Sequence, residues 1–215
     1  MNTVLVLGGL SGVGKTSVAS VILRTHPEFE LVRSATTRQR RLDGNEDEYI
    51  YLERGEFLER VAEGGMLEYT EFGGNLYGTP ASECERIFAS GKIPLLVLDL
   101  NGLYSMARLE GDFGAAIIYI YEELSVVSER LLAREKAAPS GKGMEAYRRR
   151  MEQNRADYLA LPALAPHLSA FVRNTELTAA AEECLAVFES ISAGKAPDID
   201  ASLAIANYLA KTAKE

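Results

Sequence analysis

The segment Gly9-Leu10-Ser11-Gly12-Val13-Gly14-Lys15-Thr16 follows an apolar run, Thr3–Leu7, and precedes a stretch with helical spacing. The pattern G-x-x-x-x-G-K-[ST] between a strand and a helix is typical of a loop that binds phosphate. Its glycines let backbone N–H groups turn inward, and the helix N-terminus favours an anion. Lys15 would reach the β- and γ-phosphates, and the Thr16 hydroxyl would bind Mg²⁺. A glycine-rich turn with a purely structural role is the alternative, but the ordered strand, loop, lysine, hydroxyl and helix favour a nucleotide.

Composition limits the classes of partner. The chain has 215 residues, of which 47% are hydrophobic and 25% charged, and its net charge is −8. An acidic chain lacks the basic face that nucleic acid or an anionic membrane requires, so we expect neither as a partner. Cys84 and Cys184 have no metal-ligand spacing and are expected to be buried thiols. No apolar stretch approaches the roughly 18 residues of a spanning helix, so we expect a cytoplasmic protein.

Short apolar runs alternate with helical patterns along the chain, which is typical of an α/β fold with a parallel sheet. The expected core strands are Thr3–Leu7, Glu30–Arg33, Pro94–Leu98, Ala115–Tyr121 and Ala170–Arg173. The expected helices start at Lys15, near Pro80 and near Leu103, and then cover Leu124–Glu135, Glu145–Leu159 and Thr178–Ile191. Between the second strand and Pro80 the pattern changes to short β-like pieces, Tyr49–Leu52, Met66–Phe72 and Leu76–Thr79, around a helix at Gly55–Glu63. We expect this insertion to form a separate small lobe.

Five segments carry a resemblance to a known family. They are the loop at 9–16, S-A-T-T-R-Q-R-R at Ser34–Arg41, E-Y-T-E-F-G-G-N-L-Y-G-T at Glu68–Thr79, L-V-L-D at Leu96–Asp99, and the helices around Arg134 and Arg150. From about residue 3 to residue 190 the chain resembles the guanylate kinases, which move a phosphoryl group from ATP to GMP.

The resemblance implies an arrangement of domains. It implies a core of the P-loop NTPase type, a parallel sheet flanked by helices, at residues 1–33 and 80–193. A small mixed β lobe at residues 34–79 would bind the acceptor, GMP, and a helical lid would lie at about 134–150. We call residues 34–79 the small lobe. Residues 194–215 would form a helical C-terminal extension beyond the resemblance.

Arginines and tyrosines of the small lobe predict a phosphate site. Arg38 and Arg41 are three residues apart, so two guanidinium forks can neutralise one dianionic phosphate. Tyr49 and Tyr77 can add phenolic O–H groups without adding charge. In the family pattern these four positions hold the acceptor phosphate. The alternative is a solvated basic stretch balanced by the acidic residues that follow it.

Guanine presents N1–H and N2–H₂ donors on one edge, and a buried carboxylate that accepts from both discriminates against adenine. The resemblance places Glu68 in that role and the hydroxyls of Ser34 and Thr79 near guanine O6. It also places Asp99 and Asn101 beside GMP. The segments Asp99-Leu100-Asn101-Gly102 and Leu42–Glu46 depart from the family pattern. Because both lie beside the acceptor, they leave its identity open.

The donor side requires cations and alignment, since the transition state of phosphoryl transfer spreads charge over the equatorial oxygens. The predicted catalytic residues are Lys15, Arg38, Arg134 and Arg150. The predicted ATP and phosphate site comprises Gly9, Ser11, Gly12, Val13, Gly14, Lys15, Thr16, Ser17 and Asn174. Asn174 is the family's adenine-facing position. Arg130, Arg148 and Arg149 lie close to the two lid arginines, so the choice among them rests on family spacing.

A magnesium ion bound with ATP is the expected cofactor, held by Thr16 and, through water, by Asp99. Asp99 follows an apolar strand, where open α/β sheets place ligand-facing groups. The alternative is that its carboxylate only caps the next helix.

Two further functions stay open from the sequence. One is a kinase of the same fold that acts on another phosphorylated acceptor, such as a ribose phosphate. The other is a catalytically silent binding module of guanylate-kinase-like fold.

In the C-terminal extension, Ile199, Leu203, Ala206 and Leu209 recur at helical spacing. This pattern predicts a helix that docks on the core or on a second subunit, as in a homodimer.

Overall fold

In the computed structural model of the protein, a parallel sheet forms the centre of the molecule. The structure describes residues 2–40, 49–72, 74–107, 114–137 and 143–214. In the described chain five strands pair in the order β2-β7-β1-β8-β9. Numbered along the chain, they are β1 (Thr3–Gly9), β2 (Phe29–Leu31), β7 (Ile93–Val97), β8 (Gly114–Tyr121) and β9 (Ala170–Arg173). Every pairing between them is parallel.

Helices cover the central sheet. They are α1 (Lys15–Thr25), α3 (Ala81–Ala89), α4 (Leu100–Met106), α5 (Leu124–Ala137), α6 (Gly143–Leu164), α7 (Leu177–Ser192) and α8 (Ile199–Thr212). Residues Val4 to Leu7 of β1 are fully buried, as expected for a parallel strand that is covered on both faces. Because β1 lies between β7 and β8, the loop after β1 opens at the carboxyl edge of the sheet, where such folds bind ligands.

A second, mixed sheet lies within the small lobe. Its strands pair in the order β4-β3-β6-β5. They are β3 (Ser34–Thr36), β4 (Tyr49–Tyr51), β5 (Met66–Phe72) and β6 (Asn75–Pro80), and helix α2 (Arg54–Ala62) packs on them. The buried core of this lobe is small and centres on Ala35, Phe57 and Leu76.

The α/β fold predicted from the sequence is confirmed, and a few elements differ from the prediction. Strand β3 was not predicted, because its sequence Ser-Ala-Thr contains no large apolar residue that would indicate a strand. Helix α4 begins at Leu100, earlier than the expected start near Leu103, because the Asp99 side chain caps it there. Helix α6 continues past Pro162 to Leu164, since Leu161 and Leu164 are fully buried in the core.

The C-terminal helix α8 packs against α6 of its own chain. Ala206 and Leu209 of α8 are fully buried. The Arg155 guanidinium on α6 donates a hydrogen bond of 3.0 Å to the carbonyl oxygen of Ala213. In the described ranges no helix combines the length and the apolar character needed to cross a membrane.

An ion pair joins the two segments through which the chain enters and leaves the small lobe. Arg33 lies just before β3, and Glu83 lies on α3 just after β6. The Arg33 guanidinium donates to both carboxylate oxygens of Glu83 at 3.0 Å, and Arg86 donates to the same carboxylate. Burial alone would raise the pKa of Glu83, but these hydrogen bonds lower it below its ordinary value. Glu83 is therefore buried as an anion at the base of the small lobe.

We expect Glu83→Gln to lower the free energy of unfolding by about 1–2 kcal/mol, because the amide has no negative charge and replaces one of the two accepting oxygens by an NH₂ donor. The matched control is Glu85→Gln, an exposed position on the same helix. Thermal and urea unfolding measure the effect. The Glu83 pKa is lowered in the folded state, so its contribution is present above the ordinary carboxyl pKa and is lost as pH falls through the lowered value. Equal stability of the two variants at neutral pH would contradict the role of this ion pair.

Candidate active site

The loop after β1 has the backbone geometry that its glycines predict. Gly14 has φ 102° and caps the N-terminus of α1, and Gly9 has φ 144°. A Cβ atom at Gly9 would collide with the carbonyl oxygen of Ile120, and one at Gly14 would collide with the Asn174 amide. Only glycine satisfies both the dihedral angles and the space at these positions. The loop therefore lies tightly between α1, β8 and Asn174.

Lys15 lies back along the loop. Its ammonium donates to the carbonyl oxygens of Gly9 at 2.6 Å and Leu10 at 2.9 Å. Burial lowers the pKa of Lys15 to about 8, although the nearby carboxylates of Asp99 and Asp157 oppose this shift. A buried ammonium ion is stabilised by any anion that comes close to it. The phosphates of a nucleotide would supply that anion.

Helix α6 contacts the loop at Ser11. The fully buried Asn154 side chain accepts from the Ser11 backbone N–H at 3.1 Å and donates to the Ser11 carbonyl oxygen at 3.0 Å. Arg150 donates to the Ser11 hydroxyl at 3.1 Å. The structure thus brings Arg150 to the loop, whereas its contact with phosphate stays a prediction, and it adds Asn154, which sequence reasoning missed.

Two further side chains hold the loop at Val13. The Asn174 amide donates to the Val13 carbonyl oxygen at 2.8 Å, and Arg130 donates to the same oxygen at 3.2 Å. Asn174 is buried, so the structure shows it as a support of the loop, whereas the expected contact with adenine stays a prediction. Beside them a cavity of about 380 Å³ is lined by residues 10–12 and 14–17, Arg130, Leu131 and Arg134. Three arginines, two of them predicted, therefore lie beside the loop.

A cleft of about 260 Å³ lies where the small lobe faces the carboxyl end of β7. It is lined by the predicted residues Ser34, Tyr49, Glu68, Tyr77 and Asp99, together with Thr70, Gly78, Val97 and Leu98. A neighbouring cavity of about 320 Å³ is lined by Thr16 on one side and by Ser34, Tyr49 and Thr79 on the other. The end of the phosphate loop and the small lobe thus face one continuous region.

Glu68 is the buried acid of the cleft. Its Oε1 atom accepts from the Thr79 hydroxyl at 2.7 Å, and 7% of the residue is exposed. Burial raises the pKa of Glu68 to about 7, with a further increase from nearby Asp99 that the hydrogen bond from Thr79 partly offsets. The predicted Glu68 and Thr79 therefore act as one hydrogen-bonded pair, and the carboxylate is primed to accept from donors in the cleft.

Arg38 lies among tyrosines. Its guanidinium carbon is 5.5 Å from the centre of the Tyr49 ring and 5.8 Å from the centre of the Tyr51 ring. It also donates to the Tyr51 hydroxyl at 3.0 Å, and the Tyr49 and Tyr77 rings are 6.4 Å apart. Tyr51 was not predicted, although its spacing of two from Tyr49 on β4 puts both side chains on one face. The predicted Arg41 lies outside the described residues.

Asp99 lies two residues after β7 and is exposed. Its carboxylate accepts from the Gly102 backbone N–H at 2.9 Å, so the helix cap weighed as an alternative is present. Asn101 is exposed on the first turn of α4. Over the ranges that the structure describes, no group of three or more His, Cys, Asp or Glu side chains could hold a metal ion.

The chain was compared with known proteins and structures. The family model described as guanylate kinase matches residues 1–161. A guanylate kinase of Chlorobium chlorochromatii is 31% identical over 184 residues, which cover 83% of this chain and 90% of the relative. One of Gloeobacter violaceus is 34% identical over 187 residues, covering 85% and 84%.

A solved structure described as guanylate kinase from Anaplasma phagocytophilum matches with a TM-score of 0.55 at 22% identity. The match covers 88% of this chain and 86% of that one, and at this identity it supports the fold alone. The sequence matches extend from the phosphate loop through the small lobe to the arginine-bearing helices. The chain therefore belongs to the guanylate kinase family.

Proposed function

We propose that this chain performs its family's reaction through the two regions described above: transfer of the γ-phosphoryl group from ATP to GMP, with ATP on the loop and GMP in the small-lobe cleft. The observation that carries this proposal is the meeting of two opposite kinds of site. One holds a buried ammonium ion among arginines, and the other holds a buried carboxyl group in a cleft that Tyr49 and Tyr77 also line. Phosphates match the first, and the donor edge of guanine matches the second.

Glu68 supplies base selection. When ionised, its carboxylate accepts from guanine N1–H and N2–H₂, while Thr79 donates to its Oε1 atom and fixes its orientation. Adenine offers no such pair of donors on that edge, so a buried acid opposite adenine would stay unsatisfied. Ser34 lies in the same cleft and can donate to guanine O6.

The acceptor phosphate binds at the tyrosine end of the cleft. Arg38 supplies the charge, Tyr49 and Tyr77 supply phenolic donors, and Arg41 is assigned by the family pattern. Tyr51 holds the Arg38 guanidinium by accepting from it at 3.0 Å. A fork held in this way loses less conformational freedom when it binds phosphate.

The donor phosphates bind in the cavity beside the loop. Lys15 and the arginines at 134 and 150 place positive charge around the γ-phosphate, where negative charge spreads in the transition state. Water would compete with GMP as the acceptor, so closure of the lid over this cavity protects ATP from hydrolysis. Arg130 fixes the loop through Val13 and lines the same cavity.

The donor set of this region suits Mg²⁺. Thr16 presents an exposed hydroxyl at the start of α1, and Asp99 presents an exposed carboxylate at the end of β7. Hydroxyl and carboxylate oxygens, completed by water and phosphate, are the ligands that Mg²⁺ takes in kinases. When bound, the ion would neutralise charge on the β- and γ-phosphates. Thr16 would contact it directly and Asp99 through water.

The alternative functions are not favoured. The relatives that match over most of the chain are described as guanylate kinases. The residues of the cleft are explained by GMP as the acceptor, without a ribose phosphate. A silent binding module would not require Lys15, Arg38 and three loop-facing arginines together. The cytoplasmic location and a homodimer through α8 stay predictions.

A panel of acceptors tests the proposed function directly. We expect ADP release with ATP and GMP or dGMP, and none above background with AMP, UMP or ribose 5-phosphate. A coupled assay of ADP measures all acceptors in parallel. Turnover of a sugar phosphate or AMP without turnover of GMP would overturn the assignment of the base, and ATP binding without transfer to any acceptor would favour the silent module.

The pKa of Glu68 predicts how GMP use depends on pH. Because burial raises that pKa to about 7, the free enzyme loses the ionised carboxylate as pH falls below 7. We expect the KM for GMP to rise by up to about tenfold per pH unit below that value, in addition to the effect of the GMP phosphate itself. Glu68→Gln retains the phosphate effect and is the matched control. Identical pH profiles of KM in the two proteins would show that Glu68 does not contact the base.

Loss of the Tyr51 hydroxyl is expected to weaken the hold on Arg38. We expect Tyr51→Phe to raise the KM for GMP by about five- to tenfold, the size expected for the loss of one ordinary hydrogen bond of about 1 kcal/mol, with the KM for ATP unchanged. Tyr69→Phe, at an exposed tyrosine of the small lobe, is the control. Steady-state kinetics with each substrate varied in turn measures the effect. A change in the KM for ATP without a change in the KM for GMP would contradict this role.

A further inference from the structure

Asn154 stands out because a fully buried amide is committed to the backbone of one loop residue. Its oxygen accepts from the Ser11 N–H at 3.1 Å and its nitrogen donates to the Ser11 carbonyl at 3.0 Å. Asn154 lies 143 positions along the chain from Ser11, so nothing local requires the contact. An amide that makes both bonds fixes the orientation of the peptide groups on either side of Ser11.

The contact belongs to a row of polar side chains on the buried face of α6. Arg150, one turn earlier, donates to the Ser11 hydroxyl at 3.1 Å. Tyr158, one turn later, donates to the carbonyl oxygen of Glu122 after β8. Spacing of four residues aligns these side chains along the helix. Helix α6 is thereby fixed to the sheet edge at Tyr158 and to all three polar groups of Ser11.

The loop needs such a restraint because Gly12 lies between two held carbonyl groups. Gly12 has φ 86°, a conformation that glycine enters and leaves readily. The carbonyl of Ser11 is held by Asn154, and the carbonyl of Val13 is held by Asn174 and Arg130. With both neighbours fixed, the peptide groups around Gly12 keep one orientation. Backbone donors that are oriented before binding hold an anion better than donors that must reorganise.

We propose that Asn154 is a positioning residue for the donor nucleotide, which presets the phosphate loop by holding the Ser11 peptide groups. The inference rests on the proposed function, in that ATP is the ligand of the loop. Asn154 itself is buried behind the loop and acts through the backbone of Ser11. Replacement of Asn154 therefore weakens the binding of ATP and leaves the binding of GMP in the small lobe unchanged.

Two variants test the proposal by calorimetric titration with magnesium and ATP, without GMP. Asn154→Ala removes both hydrogen bonds and is expected to raise the Kd for ATP by about tenfold or more. Asn207→Ala, at an exposed asparagine on α8, is the matched control and is expected to bind like the unsubstituted protein. Steady-state kinetics of Asn154→Ala should show a raised KM for ATP and an unchanged KM for GMP.

Asn154→Asp adds a second measurement, the pH dependence of ATP binding, which would not change if Asn154 had only a structural role. A protonated aspartic acid has the shape of asparagine, and it can accept from the Ser11 N–H and donate to the Ser11 carbonyl. The ionised form loses the donor and places a negative charge behind the phosphates. We therefore expect the variant to bind ATP more weakly than the unsubstituted protein at about pH 8, and this difference in affinity to shrink as pH falls to about 6.

The outcomes separate this inference from the proposed function. If the unsubstituted protein binds no ATP, the proposed function and this inference both fail. If it binds ATP and Asn154→Ala binds equally well, only the inference fails. Parallel loss of ATP and GMP binding in Asn154→Ala, or a pH profile of Asn154→Asp equal to that of the unsubstituted protein, would reduce Asn154 to a structural residue. Should Asn154→Ala not fold, the pH profile of Asn154→Asp decides.

Discussion

A buried ammonium ion is the constraint on which the phosphate loop depends. Lys15 is held by the carbonyl oxygens of Gly9 and Leu10, and these dipoles do not replace the water that its ammonium has lost, so its pKa falls to about 8. An ion in this state interacts strongly with an anion that reaches it, because little water is left to displace or to screen the charge. The incompletely solvated ammonium ion of Lys15 therefore prepares the loop to bind phosphate.

The same physics operates with opposite sign in the small lobe. Glu68 is buried beside the acidic Asp99, and its pKa rises to about 7. A carboxyl group with few solvating partners selects strongly for a ligand that brings two N–H donors, and rejects one that brings none. Selectivity at both sites follows from the removal of water around one charged group. Thr16, which follows Lys15, and Thr79, which donates to Glu68, line one cavity together, so the two ligands would lie next to each other.

The parts of this site that the sequence predicted are those encoded in short stretches. The loop at residues 9–16 and the order of strands and helices depend on neighbours in sequence, as does the presence of Glu68 and Thr79 in one hairpin. The hydrogen bond from Thr79 to Glu68 was not predicted, because Thr79 was expected near guanine O6. Asn154 and Tyr51 were missed for a different reason. Asn154 gains its role only when α6 folds onto the loop, and an asparagine inside a helix carries no local signal of such a contact. Tyr51 was visible in the alternation of β4, but its link to Arg38 depends on how a turn directs one side chain.

The contacts of α6 also change how closure of the site is understood. Arg150 was expected to belong to the lid, yet it already contacts Ser11, and Asn154 and Tyr158 fix the same helix to the loop and the sheet. Further along, Arg155 ties α6 to the end of α8. A helix held at several points along its length is a poor moving part. Helix α6 therefore serves as the fixed wall of the donor site, against which the phosphates would be aligned.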